Sequence, residues 1–326
     1  MELTSFCKYF SSSKDVLEGV FERGMIRFTQ PWGLNDPLEG TPAIRLKHNS
    51  AKVVYRFDGV TYPSEALFYR GQIIEASVNS FGMLSLTHIP DSFEMWALYG
   101  DGHRGFLLEF AENFNEHPCM RAKDGSVYPV EPIEYVDDYT IDPAELYDGS
   151  GLRHEALRRS VFLRKTRRWE HEGEYRMIRP LSDCPEFAPR TGLQTTYRDS
   201  TIYLFELARE CIISVVLGAH MRPEHKRYIC SHLVGSGIPI LQACLVPILK
   251  DERGHYGVIV PVLIELLGPL DNVLDTPAQM FSVFDEDPRE KTEYRDIRSL
   301  AELPYYERFP HIVEAFQRAM EDRKPK

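Results

Sequence analysis

The residue types best suited to chemistry lie in two short stretches. The first, Arg164-Lys-Thr-Arg-Arg-Trp-Glu-His-Glu-Gly-Glu-Tyr-Arg176, carries Glu172 and Glu174 two positions apart. On a β-strand that spacing turns both carboxylates to one face, where they can stabilise positive charge developing in a substrate. The second is Leu34-Asn-Asp-Pro-Leu-Glu39. Asn35 and Asp36 are suited to an Asx-type turn onto their own backbone, which would aim Glu39 into a cleft. Each stretch also has a plain structural reading. The loop reads more readily as a plain turn, and Glu174 equally as the ion-pair partner of Arg176 or another neighbour beside a solvated helix face.

Other motifs are weaker. Gly100-Asp-Gly-His-Arg-Gly105 matches a dinucleotide-binding fingerprint in letters. That fingerprint needs a strand before it and a helix after it, and here the order is reversed, so it reads as a turn. No P-loop, H-E-x-x-H or G-x-S-x-G pattern occurs. The 11 histidines do not cluster at ligand spacing, so no metal is expected. Nine Lys or Arg lie between Arg153 and Arg179 against four acidic residues, a local basic excess that could hold a pyrophosphate or be a solvated helix face. Trp96 and Trp169 could stack on a ligand, although such rings more often fill cores.

These residues need elements to position them, and the hydrophobic pattern predicts a mixed α and β domain. Met25 to Thr29, Met83 to Thr87, Phe106 to Phe110, Glu174 to Ile178, Ile212 to Leu217, Ile238 to Val246 and Tyr256 to Ile264 read as strands. Helices are expected after Ser13 as N-cap, over residues 64 to 80, at Phe93 to Tyr99, within Pro143 to Arg168, and at Pro223 to Val234. Residues 1 to 267 are read as one α+β domain. Residues 268 to 326 are read as a partly helical appendage with 13 acidic and nine basic residues, expected to dock through Ile312, Val313 and Phe316 on the domain or on a protein partner.

The 326 residues carry a formal charge of -11, with 43% hydrophobic and 27% charged residues. Disordered, fibrous and small disulfide-scaffold proteins are excluded by that composition, and a general nucleic-acid coat is disfavoured by the charge. The six cysteines form no C-x-x-C pair and read as reduced core thiols of a cytoplasmic protein. MELTSFCKYF lacks the basic and apolar regions of a signal peptide, and the apolar run near Val258 to Leu270 is interrupted by Pro261 and Glu265, so no membrane span is expected.

Several of these stretches together resemble a bacterial family catalogued only as domain of unknown function 2971. They are Lys8-Tyr9, Ile26 to Glu39, Leu84-Ser-Leu-Thr87, Met95-Trp-Ala-Leu-Tyr99 with His103-Arg-Gly105, Trp169 to Arg176, and Ile212 to Gly218. The layout is more distantly similar to ADP-ribosyltransferases: an opening strand with a basic and an aromatic residue, a helix, a serine strand and a late E-x-E. That resemblance implies a split β-sheet core flanked by helices, with NAD as substrate. It assigns Lys8 to the nicotinamide end, Ser85 to the pocket, Glu174 to stabilising an oxocarbenium-like transition state and Glu172 to orienting the acceptor. Tyr9, Asn35, Asp36, Glu39, Trp96, Tyr99, His103 and Arg176 complete the expected cofactor-binding set. Lys8 stands where His or Arg is more usual, and Ser85-Leu-Thr87 only approximates Ser-Thr-Ser.

The resulting expectation is an NAD-dependent ADP-ribosyltransferase-like or NAD-hydrolysing glycosyl-transfer enzyme, a bacterial toxin or phage-defence effector. The acceptor, whether protein, nucleic acid or water, is left open. The alternative is a non-catalytic module that binds a nucleotide, nucleic acid or protein through Trp96, Tyr99, His103 and the Arg158 to Arg168 face.

Overall fold

The computed structural model describes residues 5–36, 38–39, 43–45, 54–57, 60–63, 68–69, 71, 73, 80–148, 151–188, 201–250 and 256–263. The expected appendage and most of the expected helix over 64 to 80 lie outside the described residues. The fold is mixed α+β with mostly antiparallel sheet pairing, and the chain divides into two compact units. The first takes in residues 1–24, 88–114 and 208–326, the second residues 25–87 and 115–207.

In the first unit, strands run in the order Tyr256–Leu263, Ile240–Lys250, Ile212–Leu217, Phe106–Ala111, Ser5–Phe10. All neighbours are antiparallel except Ile212–Leu217 and Ile240–Lys250. A parallel pair needs a crossover, here supplied by the helix Pro223–Leu233, with Pro at its start and Gly235 at φ 76° just beyond its end. The strand Phe106–Ala111 is buried on both faces. Its Phe106 stacks on Phe10 at 4.9 Å and meets Phe21 at 5.0 Å, and each such buried ring contributes about 1.5–3 kcal/mol. After Ser13 the chain makes one α turn, Lys14–Leu17, and a wider π turn, Glu18–Glu22, before Gly24 at φ 61° ends it. Ser13 sits at the N-cap but makes no side-chain capping bond.

In the second unit, Glu174–Pro180 lies between Phe81–Thr87 and Val130–Pro132, antiparallel to both. Glu186–Ala188, Ile202–Glu206 and Met25–Phe28 make a separate antiparallel sheet. A core of Ile73, Met83, Ile133, Ile141, Leu146, Phe162 and Ile178 underlies these strands.

The stretch from Pro143 to Arg168 departs from the helical expectation. It holds the short helices Pro143–Leu146 and His154–Leu157, a π turn over Arg158–Phe162, and then the strand Arg164–Thr166, parallel to Glu134–Val136. Pairing with a segment some 30 residues away overrides the local helical spacing. Consequently Arg158 to Arg168 do not form one helix face.

Candidate functional site

Glu172 and Glu174 do not share a strand. Glu172 closes a 3-10 helix, Arg167–Glu172, and Glu174 opens the strand Glu174–Pro180. Between them Gly173 takes φ 51°, a left-handed conformation that glycine adopts without strain. The turn brings both carboxylates to one cation: Lys165 Nζ lies 2.5 Å from Glu172 and 3.0 Å from Glu174. Arg176, two residues along the same strand face, donates to Glu174 at 2.7 and 2.9 Å and to Glu39. Glu39 Oε1 is 3.4 Å from Lys165 Nζ but accepts no hydrogen bond.

These five side chains are nearly sealed from water. Arg176 is 1% exposed, Glu39 and Glu172 2%, Lys165 3% and Glu174 5%. Burial pushes the Glu174 carboxyl up, but Arg176 and Lys165 outweigh it and, with a hydrogen bond from Ser85, hold it at about 2. Glu39 goes the other way. Burial raises its carboxyl, and Arg176 only partly opposes it. Three acids against two bases leave one negative charge in excess, and protonation of Glu39 is the way to remove it.

The neighbouring strand completes the arrangement. In the register, Ser85 faces Arg176 and Thr87 faces Glu174. The Ser85 hydroxyl bonds the Glu174 carboxylate, and the Thr87 hydroxyl donates to the Glu172 carbonyl at 2.7 Å. The Tyr135 hydroxyl accepts the Glu174 N–H at 2.7 Å, and burial, with the Glu174 and Glu172 charges adding, pushes its phenol up to about 12. The Asn35-Asp36 loop reaches the same cluster. Asp36 accepts the Leu38 N–H at 2.9 Å in an Asx turn, its other oxygen is 3.4 Å from the Thr166 hydroxyl, and Glu39 follows directly. Asp36 is buried, whereas Asn35 is exposed.

No family model matches this chain, and no curated protein or solved structure is significantly similar to it.

The remaining expected residues, Lys8, Tyr9, Trp96, Tyr99 and His103, belong to the first unit. Lys8 Nζ lies over the Phe10 ring at 5.6 Å. Tyr9 donates to the Ile89 carbonyl at 2.7 Å and meets the edge of Trp96 at 5.1 Å. Trp96 is fully buried with its indole N–H on the Pro90 carbonyl at 2.9 Å, so it packs the core and offers no free face. Tyr99 is the half-buried C-cap of the helix Phe93–Leu98.

His103 differs from these. Asp101, Gly102 and His103 have φ of 53°, 60° and 66° in succession, a run that costs on the order of 1–3 kcal/mol at each non-glycine position. The loop is clamped: Gly218 N–H donates to the Gly105 carbonyl and His220 N–H to the His103 carbonyl, each at 2.8 Å. A Cβ at Gly218 would overlap both carbonyl oxygens. The clamp holds the His103 ring 4.6 Å from Phe93 and 5.8 Å from His220, with Nε2 buried and without a hydrogen-bond partner. Burial, and then the nearby His220, lower its pKa, which keeps the imidazole neutral and able to donate or accept.

The basic excess is largely neutralised by acids outside its own stretch. Arg158 pairs with Glu131 and Glu155, Arg167 with Asp137 and Glu170, and Arg164 with Glu134. Glu131, Glu134 and Asp137 lie about 30 residues upstream, which hides the neutralisation from a local charge count. Sequence reasoning also missed Lys165 and Tyr135. Lys165 is one of nine similar basic residues, and only the pairing of Arg164–Thr166 with Glu134–Val136 turns it inward.

Proposed function

We infer that this chain cleaves the N-glycosidic bond of NAD, as an ADP-ribosyltransferase-like or NAD-hydrolysing enzyme. The observation that carries the reading is the carboxylate of Glu174, held as a fixed anion by Lys165 at 3.0 Å and Arg176 at 2.7 Å and hydrogen-bonded by Ser85 from the adjacent strand. In the reaction the bond between ribose C1′ and the nicotinamide nitrogen breaks, and its electron pair leaves with nicotinamide, which becomes neutral. Positive charge grows on the ribose, and a fixed carboxylate stabilises it. Water or another acceptor then bonds to C1′ and releases a proton. Lys165 and Arg176 orient Glu174, and Glu172 sits beside it for the acceptor.

A second reading is favoured by a different observation: both oxygens of Glu174 are engaged by cations and the side chain is 5% exposed. In that reading the cluster is scaffold, and the chain is a non-catalytic module that binds a nucleotide, nucleic acid or protein through the His103 loop.

Nicotinamide release from NAD by purified protein separates the two. Glu174→Gln keeps the shape and removes the charge, and the two cations still face Glu39 and Glu172, so the fold is retained. The enzyme reading expects a loss of about a hundredfold or more in turnover. Absence of turnover in the wild type, or activity within a few-fold in a folded Glu174→Gln protein, supports the binding module instead.

A further inference from the structure

The cysteines read from sequence as a uniform set of core thiols, but they are not uniform. Cys7, Cys211, Cys230 and Cys244 are buried, and burial raises the Cys230 thiol and pushes that of Cys244 up to about 12. Cys119 and Cys184 are half-exposed. Cys184 gives its S–H to the Leu204 carbonyl at 3.2 Å, an acceptor that does not take up a proton.

Cys119 faces a base. His117-Pro118-Cys119 opens the 3-10 turn Pro118–Met120, with His117 extended as the cap. Proline fixes the backbone between them, which brings His117 Nδ1 to 3.1 Å from Cys119 Sγ. The same nitrogen accepts the Cys119 N–H at 3.4 Å. Accepting the amide makes Nδ1 the unprotonated nitrogen of the neutral ring, and the Cys119 thiol at 3.1 Å is within reach of the same lone pair, which the long amide contact only weakly occupies.

A fixed cation stands behind the pair. Arg179 donates to the Cys119 carbonyl at 3.2 Å and to the Arg121 carbonyl at 3.1 Å. Its guanidinium is held over Phe205 at 4.3 Å, Tyr128 at 5.2 Å and Phe28 at 5.6 Å. Imidazole and guanidinium groups beside a partly exposed thiol are the surroundings that favour thiolate over thiol.

We propose that Cys119, with His117 as its base, is a reactive thiol that is modified by hydroperoxides. The thiol proton passes to His117 Nδ1, and the thiolate attacks one peroxide oxygen. A sulfur–oxygen bond forms as the oxygen–oxygen bond breaks. The leaving oxygen takes the proton back from His117. Sulfur is oxidised by two electrons to sulfenic acid and the hydroperoxide is reduced to water or an alcohol. This modification is independent of the reading given to Glu174, since neither Cys119 nor His117 belongs to the charge cluster.

The experiment treats the full chain briefly with substoichiometric hydrogen peroxide in the presence of a sulfenic-acid trap, and maps the adduct by mass spectrometry. In parallel, iodoacetamide labelling rates of Cys119 and Cys184 are compared from pH 6 to pH 9.5. Cys119 is expected to carry the trap first and to label about tenfold or more faster than Cys184 at pH 7. The gap should narrow as pH passes the ordinary thiol value of about 8.5. His117→Ala should remove most of that advantage, and His117→Gln tests the same loss with a polar side chain in place. Equal rates for the two cysteines at pH 7 in the wild type would overturn the proposal without reference to any variant. So would a Cys119 rate unchanged in a folded His117 variant.

Discussion

Around Glu174 each ionised side chain has an opposite charge within about 3 Å, although Glu39 Oε1 accepts no hydrogen bond, and the neighbouring strand adds the Ser85 and Thr87 hydroxyls. The His103 loop is built the other way. Its backbone is strained at Asp101 and His103, its ring Nε2 lacks a partner, and tight glycine contacts hold it in place. Ion pairing makes the first region rigid through favourable contacts, whereas the second is rigid because the surrounding sheet overrules unfavourable ones. A protein retains strain and an unsatisfied polar atom where relaxing them would lose something else. The loop is therefore the stronger candidate for direct ligand contact, and the cluster is the more firmly fixed source of charge.

Substitutions should separate the two regions by sign as well as size. The largest loss is expected for Lys165→Met, which leaves three buried carboxylates facing Arg176 alone. A drop of about 3–5 kcal/mol in unfolding free energy is predicted from denaturant titration at pH 7, and a drop below about 1 kcal/mol would show the cluster to be hydrated. Gly218→Ala comes next, at about 1–3 kcal/mol, because its methyl group displaces two backbone carbonyls of the histidine loop. His103→Gly should be neutral or stabilising by up to about 1 kcal/mol, since it relieves the backbone and removes the orphaned nitrogen. Under the second reading of the function the same change weakens ligand binding, so stability and binding move in opposite directions. Glu39→Gln should cost least, below about 1 kcal/mol, because the amide oxygen can still accept from Arg176 while Arg176 and Lys165 keep Glu174 and Glu172 as counter-charges.

Acid titration sharpens the contrast. His103 has a lowered folded pKa, so its contribution is complete above the ordinary 6.5 and is lost as pH falls from there. Glu174 is depressed from 4.5 to about 2, so its contribution is present above 4.5 and fades between those values. Glu39 is raised, and its contribution grows as pH falls. Stability measured against pH should show a shallow loss beginning near 6.5 and a steeper one below 4.5. His103→Gly is expected to remove only the shallow step, and persistence of that step would place its origin elsewhere.

The strand sequence was largely legible because runs such as Ile212–Leu217 and Phe106–Ala111 are apolar on both faces and bounded by turns. Pro223 and Gly235 likewise marked the ends of the one long helix among the described residues. Glu172 was misplaced because alternation counts residues and does not register that Gly173 turns the chain. Lys165 and the neutralising acids at Glu131, Glu134 and Asp137 were illegible for a different reason: their roles are set by pairing between segments about 30 residues apart. The Asp36 turn is encoded within four residues and was readable. The meeting of its Glu39 with Arg176, across 137 positions, was not.

The pairing of Ser5–Phe10 with Phe106–Ala111 has a consequence for synthesis. Phe106–Ala111 follows Ser5–Phe10 along the chain by about a hundred residues, and at about 5–20 residues per second that is a delay of roughly 5–20 s. Throughout that interval Phe6, Cys7, Tyr9 and Phe10 await the strand that covers this edge. The far neighbour of Phe106–Ala111, Ile212–Leu217, emerges about a hundred residues later still. The first unit thus assembles around Phe106–Ala111, and chaperone occupancy of Ser5–Phe10 should fall once residues near 111 have cleared the exit tunnel.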